Sequence, residues 1–296
     1  MRRILSGLGL VIVLGLAGAF VLARPQTSDP ASLAGLAGDP VHGEMVFWAG
    51  GCASCHAAPG AEGDARLVLA GGLRLPTDFG TFIVPNISPD PVHGIGTWTV
   101  ANLDTAMRHG TSPEGQHYYP AFPYTSYSHA TPQDVADLHA FLMTLPASDR
   151  ADEPHEVGFP FNQRLLLGGW KLLNSGTGWV VNGDLTEQEA RGRYLVEGLG
   201  HCSECHTPRD VLGGRDFSRW LAGGPNPEGK GKIPNITPAH LSWSTGEIAE
   251  YLKTGFTPDY DSVGGSMAEV VTNLSHLPDA DRQAIAAYLA KVPPIP

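Results

Sequence analysis

The sequence predicts a mainly α fold: two tandem copies of one short-helix domain, preceded by an N-terminal hydrophobic helix. Three observations carry this expectation. Landmarks recur in the same order in the two halves of the 296-residue chain, at offsets that drift by only a few residues. The 37 Gly and 25 Pro interrupt any regular element, which argues against one long bundle or a large sheet and for short helices joined by loops. Hydrophobic residues, 42% of the chain, suffice for packed cores, and the length allows two domains of the usual ~100–200 residues.

Taken in order, Met1-Arg2-Arg3 precedes twenty uncharged residues, Ile4 to Ala23, and then Arg24-Pro25. Residues 1–24 therefore read as an export segment: a signal peptide ending near Ala17-Gly18-Ala19, or an anchor that as a helix reaches ~30 Å. Either way the following chain lies outside the cytoplasm, because the arginines stay inside. Residues 25–37 read as a linker, 38–150 as the first domain, 151–182 as an apolar connector and 183–296 as the second domain.

In each copy a helix leads into a cysteine motif, His42–Gly50 and Thr186–Leu199, the second opening on the N-cap signature Thr186-Glu187-Gln188-Glu189. A Gly/Pro-rich loop follows, then a short helix after Trp98 or Trp243 (Asn102–Gly110 and Glu247–Gly255), a second loop and a closing helix. The closing helices begin in Thr131-Pro132-Gln133-Asp134 and Pro278-Asp279-Ala280-Asp281, with Pro and acids in the favoured first turn. The connector, with Phe159-Pro160-Phe161 and Leu165 to Trp170, is too short to span a bilayer and is expected to pack between the domains or against a partner.

The landmarks carry the chemistry. Cys52-Ala53-Ser54-Cys55-His56 recurs as Cys202-Ser203-Glu204-Cys205-His206 at an offset of 150, and Pro85-Asn86-Ile87-Ser88-Pro89 as Pro234-Asn235-Ile236-Thr237-Pro238 at 149. Cys-x-x-Cys-His is the attachment signature of c-type haem: two thiols add to the vinyl groups, and the following His binds iron from the proximal side. Zinc pairs usually lie within tens of residues and need no His after each, and no βαβ frame surrounds either pair to suggest a thioredoxin-like site. Two covalently bound haem c groups are therefore expected, with Cys52, Cys55, Cys202 and Cys205 as attachment points and His56 and His206 as iron ligands. The domains become class I cytochrome c-like, short helices wrapped around covalent haem, whose apolar body completes a small core.

A sixth ligand separates an electron carrier from a reaction site. In the second copy Gly264-Gly265-Ser266-Met267-Ala268 places Met267 on a glycine loop, so Met267 is the expected distal ligand, and His/Met ligation suits electron transfer. The first copy departs from this, because the residue aligned with Met267 is Phe122, which cannot bind iron. Met107 and Met143 fall on helices and read as packing, and His109 falls at a helix C-terminus. His129 lies on the distal loop and is a candidate ligand, beside an open site. Trp98, Trp243 and Arg209 could reach a haem propionate or serve packing and solvent, while Asn86 and Asn235 read as turn caps.

These segments, with Tyr119–Tyr127 (YPAFPYTSY), Phe159–Leu173 (FPFNQRLLLGGWKLL) and Cys205–Asp210 (CHTPRD), resemble the cytochrome c subunits of bacterial membrane-bound alcohol, aldehyde and gluconate dehydrogenases and of exported molybdenum hydroxylases. The resemblance covers roughly Gly38 to Val292, and with no third motif the chain is expected to be a shorter, dihaem relative. Members of that family often have Met where this chain has Phe122. The resemblance implies an electron-transfer subunit rather than an enzyme acting alone. It would take electrons from a catalytic dehydrogenase of flavin, quinoprotein or molybdenum type and pass them to quinone, another cytochrome or a terminal oxidase. Its expected place is the periplasmic side of the bacterial inner membrane, held there by the N-terminal segment if that is uncleaved. The alternative is a catalytic dihaem enzyme, of peroxidase or thiosulfate-oxidising type, with substrate at the first haem. A net charge of −11 opposes any role with nucleic acid.

Overall fold

The computed structural model describes Gly15 and residues 18–176, 178–226 and 231–296. The expected N-terminal hydrophobic helix lies largely outside these residues, although 18–22 are helical. Among the described residues no helix is long and apolar enough to cross a membrane.

The first half begins with α1 (Pro40–Ala49), where Asp39 accepts from the Val41 N–H at 2.9 Å and Pro40 opens the first turn. It ends at Gly50-Gly51, with Gly51 left-handed at φ 65°, and leads directly into α2 (Cys52–His56). A two-stranded ribbon follows, β1 (Arg74–Thr77) paired antiparallel with β2 (Gly80–Ile83). Then come α3 (Val100–His109), with a Thr99/Asn102 capping box, α4 (Tyr124–Tyr127) and α5 (Pro132–Leu142), capped by Thr131. After the connector helix α6 (Leu165–Asn174), the second half runs through α7 (Glu187–Arg193), which continues as a π-helical turn over Tyr194–Leu199, and α8 (Ser203–His206). The Thr186/Glu189 capping box that the sequence shows does open α7. A short ribbon, β3 (Gly224–Pro225) and β4 (Lys232–Ile233), precedes α9 (Thr245–Thr254), α10 (Met267–Ser275) and α11 (Asp279–Leu289).

The helices before the motifs pack on the closing ones, α1 on α5 and α7 on α11. Both crossings depend on a glycine. A Cβ on Gly43 would sit 2.0 Å from the Asp137 carbonyl oxygen, and one on Gly192 would sit 1.9 Å from that of Ala284. The buried side chains of both halves, Phe47, Val135 and Leu138 with Val196, Ala286 and Tyr288 among them, form one continuous cluster. Trp48 of the first half stacks on His276 of the second, centroids 3.8 Å apart, and His129 of the first half stacks on Trp179 of the connector at 4.1 Å.

Three expectations change. The loops around Phe122 and Met267 each hold a helix, α4 and α10, hidden in the sequence by the Pro- and Gly-rich residues just before them. Two small ribbons stand where only loops were expected. The connector helix lies on the surface rather than in an interdomain core, with Leu165, Leu166, Leu172 and Leu173 all exposed. Its buried residue, Gly168, backs onto the Ala23 carbonyl, and Lys171 donates to the His109 and Gly110 carbonyls at 2.7 Å each.

Candidate haem-binding sites

The two Cys-x-x-Cys-His segments form one-turn helices, α2 and α8, and each delivers its imidazole to the same environment. His56 Nδ1 lies 2.9 Å from the Pro85 carbonyl oxygen, and His206 Nδ1 lies 2.9 Å from that of Pro234. A carbonyl oxygen only accepts, so Nδ1 carries the proton in both rings and the Nε2 lone pair is left for iron. Burial pulls the His56 pKa down to about 4 and lowers that of His206, keeping both rings in the neutral, ligating form.

The proline carbonyls reach the rings because the chain before each turn can approach very closely. Gly71 and Gly223 have φ of +68° and +70°, and their N–H groups donate to the His56 and His206 carbonyls at 2.7 Å. A Cβ on Gly71 would fall 2.5 Å from the Pro85 carbonyl, and one on Gly223 would fall 2.4 Å from the Ile233 oxygen. The asparagines then fasten the turns. Asn86, 2% exposed, accepts from the Ser88 N–H and donates to the Ser148 and Arg150 carbonyls, while Asn235 accepts from Thr237 N–H and donates to the Ile295 carbonyl. Turn capping is thus their role, with a clamp on the chain beyond each closing helix added.

Three of the thiols, Cys52, Cys55 and Cys202, are partly buried, and Cys205 is exposed. Burial pushes Cys52 and Cys202 up to about 12, and burial with the neighbouring Cys205 and Glu269 pushes Cys55 up to about 11. Each motif meets the distal helix of the other half. Asn273 on α10 donates to Ser54 Oγ at 2.5 Å, and Arg66 of the first half donates to Glu269 and Asn273 on that helix at 2.7 and 3.2 Å. In the mirror arrangement Glu204 accepts from Thr125 and Ser126 on α4 at 3.1 and 3.2 Å, and Arg215 donates to Ser126 and Ser203 at 2.9 and 2.6 Å. Burial alone would raise the Glu204 carboxyl, but the Arg215 and Arg209 guanidiniums beside it hold it below the ordinary carboxylate range.

The other sequence candidates fall as follows. Met267 is the first residue of α10, half-buried against the core. Phe122 packs among Tyr118 and Tyr127, with centroids 5.8 and 5.6 Å away. Met107 is buried in the core, Met143 packs against it at the end of α5, and His109 closes α3. His129 stacks on Trp179, centroids 4.1 Å apart. Arg209 pairs with Glu204 at 2.5 Å, and Trp98 and Trp243 pack against the core. Sequence reasoning missed Arg66, Arg215 and Asn273, whose only signal was a long-range one, a buried charge or amide with no partner nearby in sequence.

The residues present fit haem: two thiols and one neutral imidazole with free Nε2 in each motif, at the surface of an apolar core. Mostly helical with few strands, the fold is that of a c-type cytochrome. The cytochrome c family model matches residues 41–146. A "Diheme cytochrome c-type" protein of Cereibacter sphaeroides is 72% identical over 294 residues, 99% of each chain. The chain belongs to the cytochrome c family. It is also 40% identical, over 84% of its length, to 21% of a nicotinate dehydrogenase subunit of Pseudomonas putida. It is 39% identical, over 98% of its length, to 60% of the fructose dehydrogenase cytochrome subunit of Gluconobacter japonicus. Relatives of this chain are thus subunits of dehydrogenases, and two of them are much longer than it is.

Proposed function

We propose that this chain is a dihaem electron-transfer subunit. Its two domains, 38–150 and 183–296, would each carry one covalent haem, on Cys52, Cys55 and His56 and on Cys202, Cys205 and His206, with Met267 as sixth ligand of the second. The observation that carries the reading is the repeated clamp of an imidazole Nδ1 by a proline carbonyl at 2.9 Å. Bound haem supplies a one-electron iron couple. The chain presents Nε2 from each histidine, keeps both rings neutral and surrounds the motifs with apolar side chains. The cross-braces between each motif and the opposite distal helix hold the two sites at a constant separation, as repeated electron exchange requires. The relatives support a catalytic dehydrogenase as donor, of flavin, quinoprotein or molybdenum type, and quinone, another cytochrome or a terminal oxidase as acceptor. The charged start and apolar run of residues 1–24 support a place on the periplasmic side of the inner membrane. Intact mass and the pyridine haemochrome spectrum test the core of this reading: two haems per chain are expected, and one or none refutes it.

A second reading rests on Phe122, which brings no donor atom to the first haem, and on His129, whose ring is engaged with Trp179. An iron without a protein ligand on its distal side could bind a small substrate, as in a peroxidase-type dihaem enzyme. Carbon monoxide or cyanide added to the reduced or oxidised protein decides: a spectral change confined to one haem favours this reading, and no change removes it.

A further inference from the structure

We infer that Arg66, a residue of the first half, positions the Met267 side of the second haem; this rests on the proposal that Met267 is a ligand. Met267 opens α10, and the segment leading into it is loosely held. Its N-cap, Ser266, makes no side-chain cap bond, and a Cβ on Gly264 or Gly265 would meet nothing within 4 Å. From its own half α10 is held by apolar contact through Val271 and Leu274. At its C-terminal end Arg282 of the same half donates to the Leu274 and Ser275 carbonyls at 2.8 and 3.3 Å, whereas the side-chain polar restraint on its first two turns comes from the first half. Arg66, with its side chain 11% exposed, spans the face that carries Glu269 and Asn273, four residues apart and therefore adjacent on the helix. Glu269 lies only two residues beyond Met267, so the guanidinium fastens the same turn that presents the sulfur. Asn273 in turn donates to Ser54, inside the first motif, and His276, just past the end of α10, stacks on Trp48. A planar fork with two fixed bonds restrains the direction of a helix better than apolar contact, which tolerates sliding.

The mirror arrangement is an internal control. Arg215 braces α4 through Ser126, but that helix follows Phe122, which has no lone pair for iron. Loosening it leaves every Met–iron bond intact.

The test uses the full-length holoprotein with both haems attached. The near-infrared charge-transfer band of Met–iron ligation and the reduction potential of each haem are measured for wild type, Arg66→Met, Arg66→Lys and Glu269→Ala. Arg66→Met and Glu269→Ala are expected to weaken or abolish the band and to lower the potential of the second haem, with the first haem unchanged. Arg66→Lys, which can keep one bond to Glu269, is expected to retain part of the band. Glu269 is half exposed, so its variant keeps the test alive if Arg66→Met does not fold. A wild-type band and wild-type potentials in Glu269→Ala, or in a folded Arg66→Met, overturn the inference. Met267→Ala separates the two levels: if it leaves the band in place, the ligand assignment itself has failed, whatever the Arg66 variants show.

Discussion

Replacing Asn86 by Ala removes the tie that holds the first proline turn against its histidine. The side chain is almost fully buried and makes three hydrogen bonds: from Ser88 N–H at 2.9 Å, to the Ser148 carbonyl at 2.8 Å and to the Arg150 carbonyl at 2.9 Å. Each lost bond costs ~0.5–1.5 kcal/mol, and more where the stranded partner has no other. Ser148 keeps a long bond from Ser88 Oγ at 3.4 Å, so its carbonyl is not left bare. The expected loss is about 2–4 kcal/mol. Among the described residues Asn235 makes two such bonds, to Ile295 and from Thr237, and it is less buried, so Asn235→Ala is expected to cost about 1–2 kcal/mol. Urea denaturation of the holoprotein, followed by Soret absorbance and far-UV circular dichroism, measures both. A loss below ~1 kcal/mol for Asn86→Ala, or a larger loss for Asn235→Ala, refutes the reasoning.

Three further outcomes follow from the same geometry. Gly71→Ala forces a Cβ to within 2.5 Å of the Pro85 carbonyl at a φ of +68°, and is expected to destabilise by at least ~2 kcal/mol and perturb the first haem's spectrum while sparing the second. Replacing Cys202 and Cys205 together by Ala is expected to lower the intact mass by one haem and abolish the Met–iron band; a retained band would place the Met ligand on the other haem. Burial, with Arg215 and Arg193 nearby, pulls the His129 pKa down to about 4, from ~6.5 in an unfolded chain. The native state therefore binds fewer protons than the unfolded one between those values, and stability falls as pH drops from ~6.5 toward 4. His129→Phe should flatten that acid limb in denaturation curves at several pH values; a changed first-haem spectrum would instead make His129 a ligand.

Much of this was legible in the order of residues because haem attachment is a local chemistry. Two cysteines and a histidine within five positions fit one helical turn, and their recurrence with the proline turns and closing helices marked out the repeat. Caps were equally local, as the Thr186/Glu189 box shows. The helices α4 and α10 were not legible, since each begins directly after Pro- or Gly-rich residues and is stabilised by packing rather than by propensity. The sequence left the connector between an interdomain place and a partner's surface for a related reason, and it lies exposed: an apolar helix reads the same whether its partner belongs to this chain or not.

Taken alone, the order of residues was enough for the two Cys-x-x-Cys-His motifs, the recurrence of landmarks around them and the odd residue at position 122, all properties of short contiguous segments. Tertiary packing was needed to choose which carbonyl sets each histidine's tautomer, to turn His129 to Trp179, and to tie each motif through Arg66 and Arg215 to the other half's distal helix. Arg66 and Glu269 are 203 residues apart in the chain and 2.7 Å apart in space. No local pattern encodes such a pairing, because it arises only when two independently patterned halves bury their apolar faces in one core.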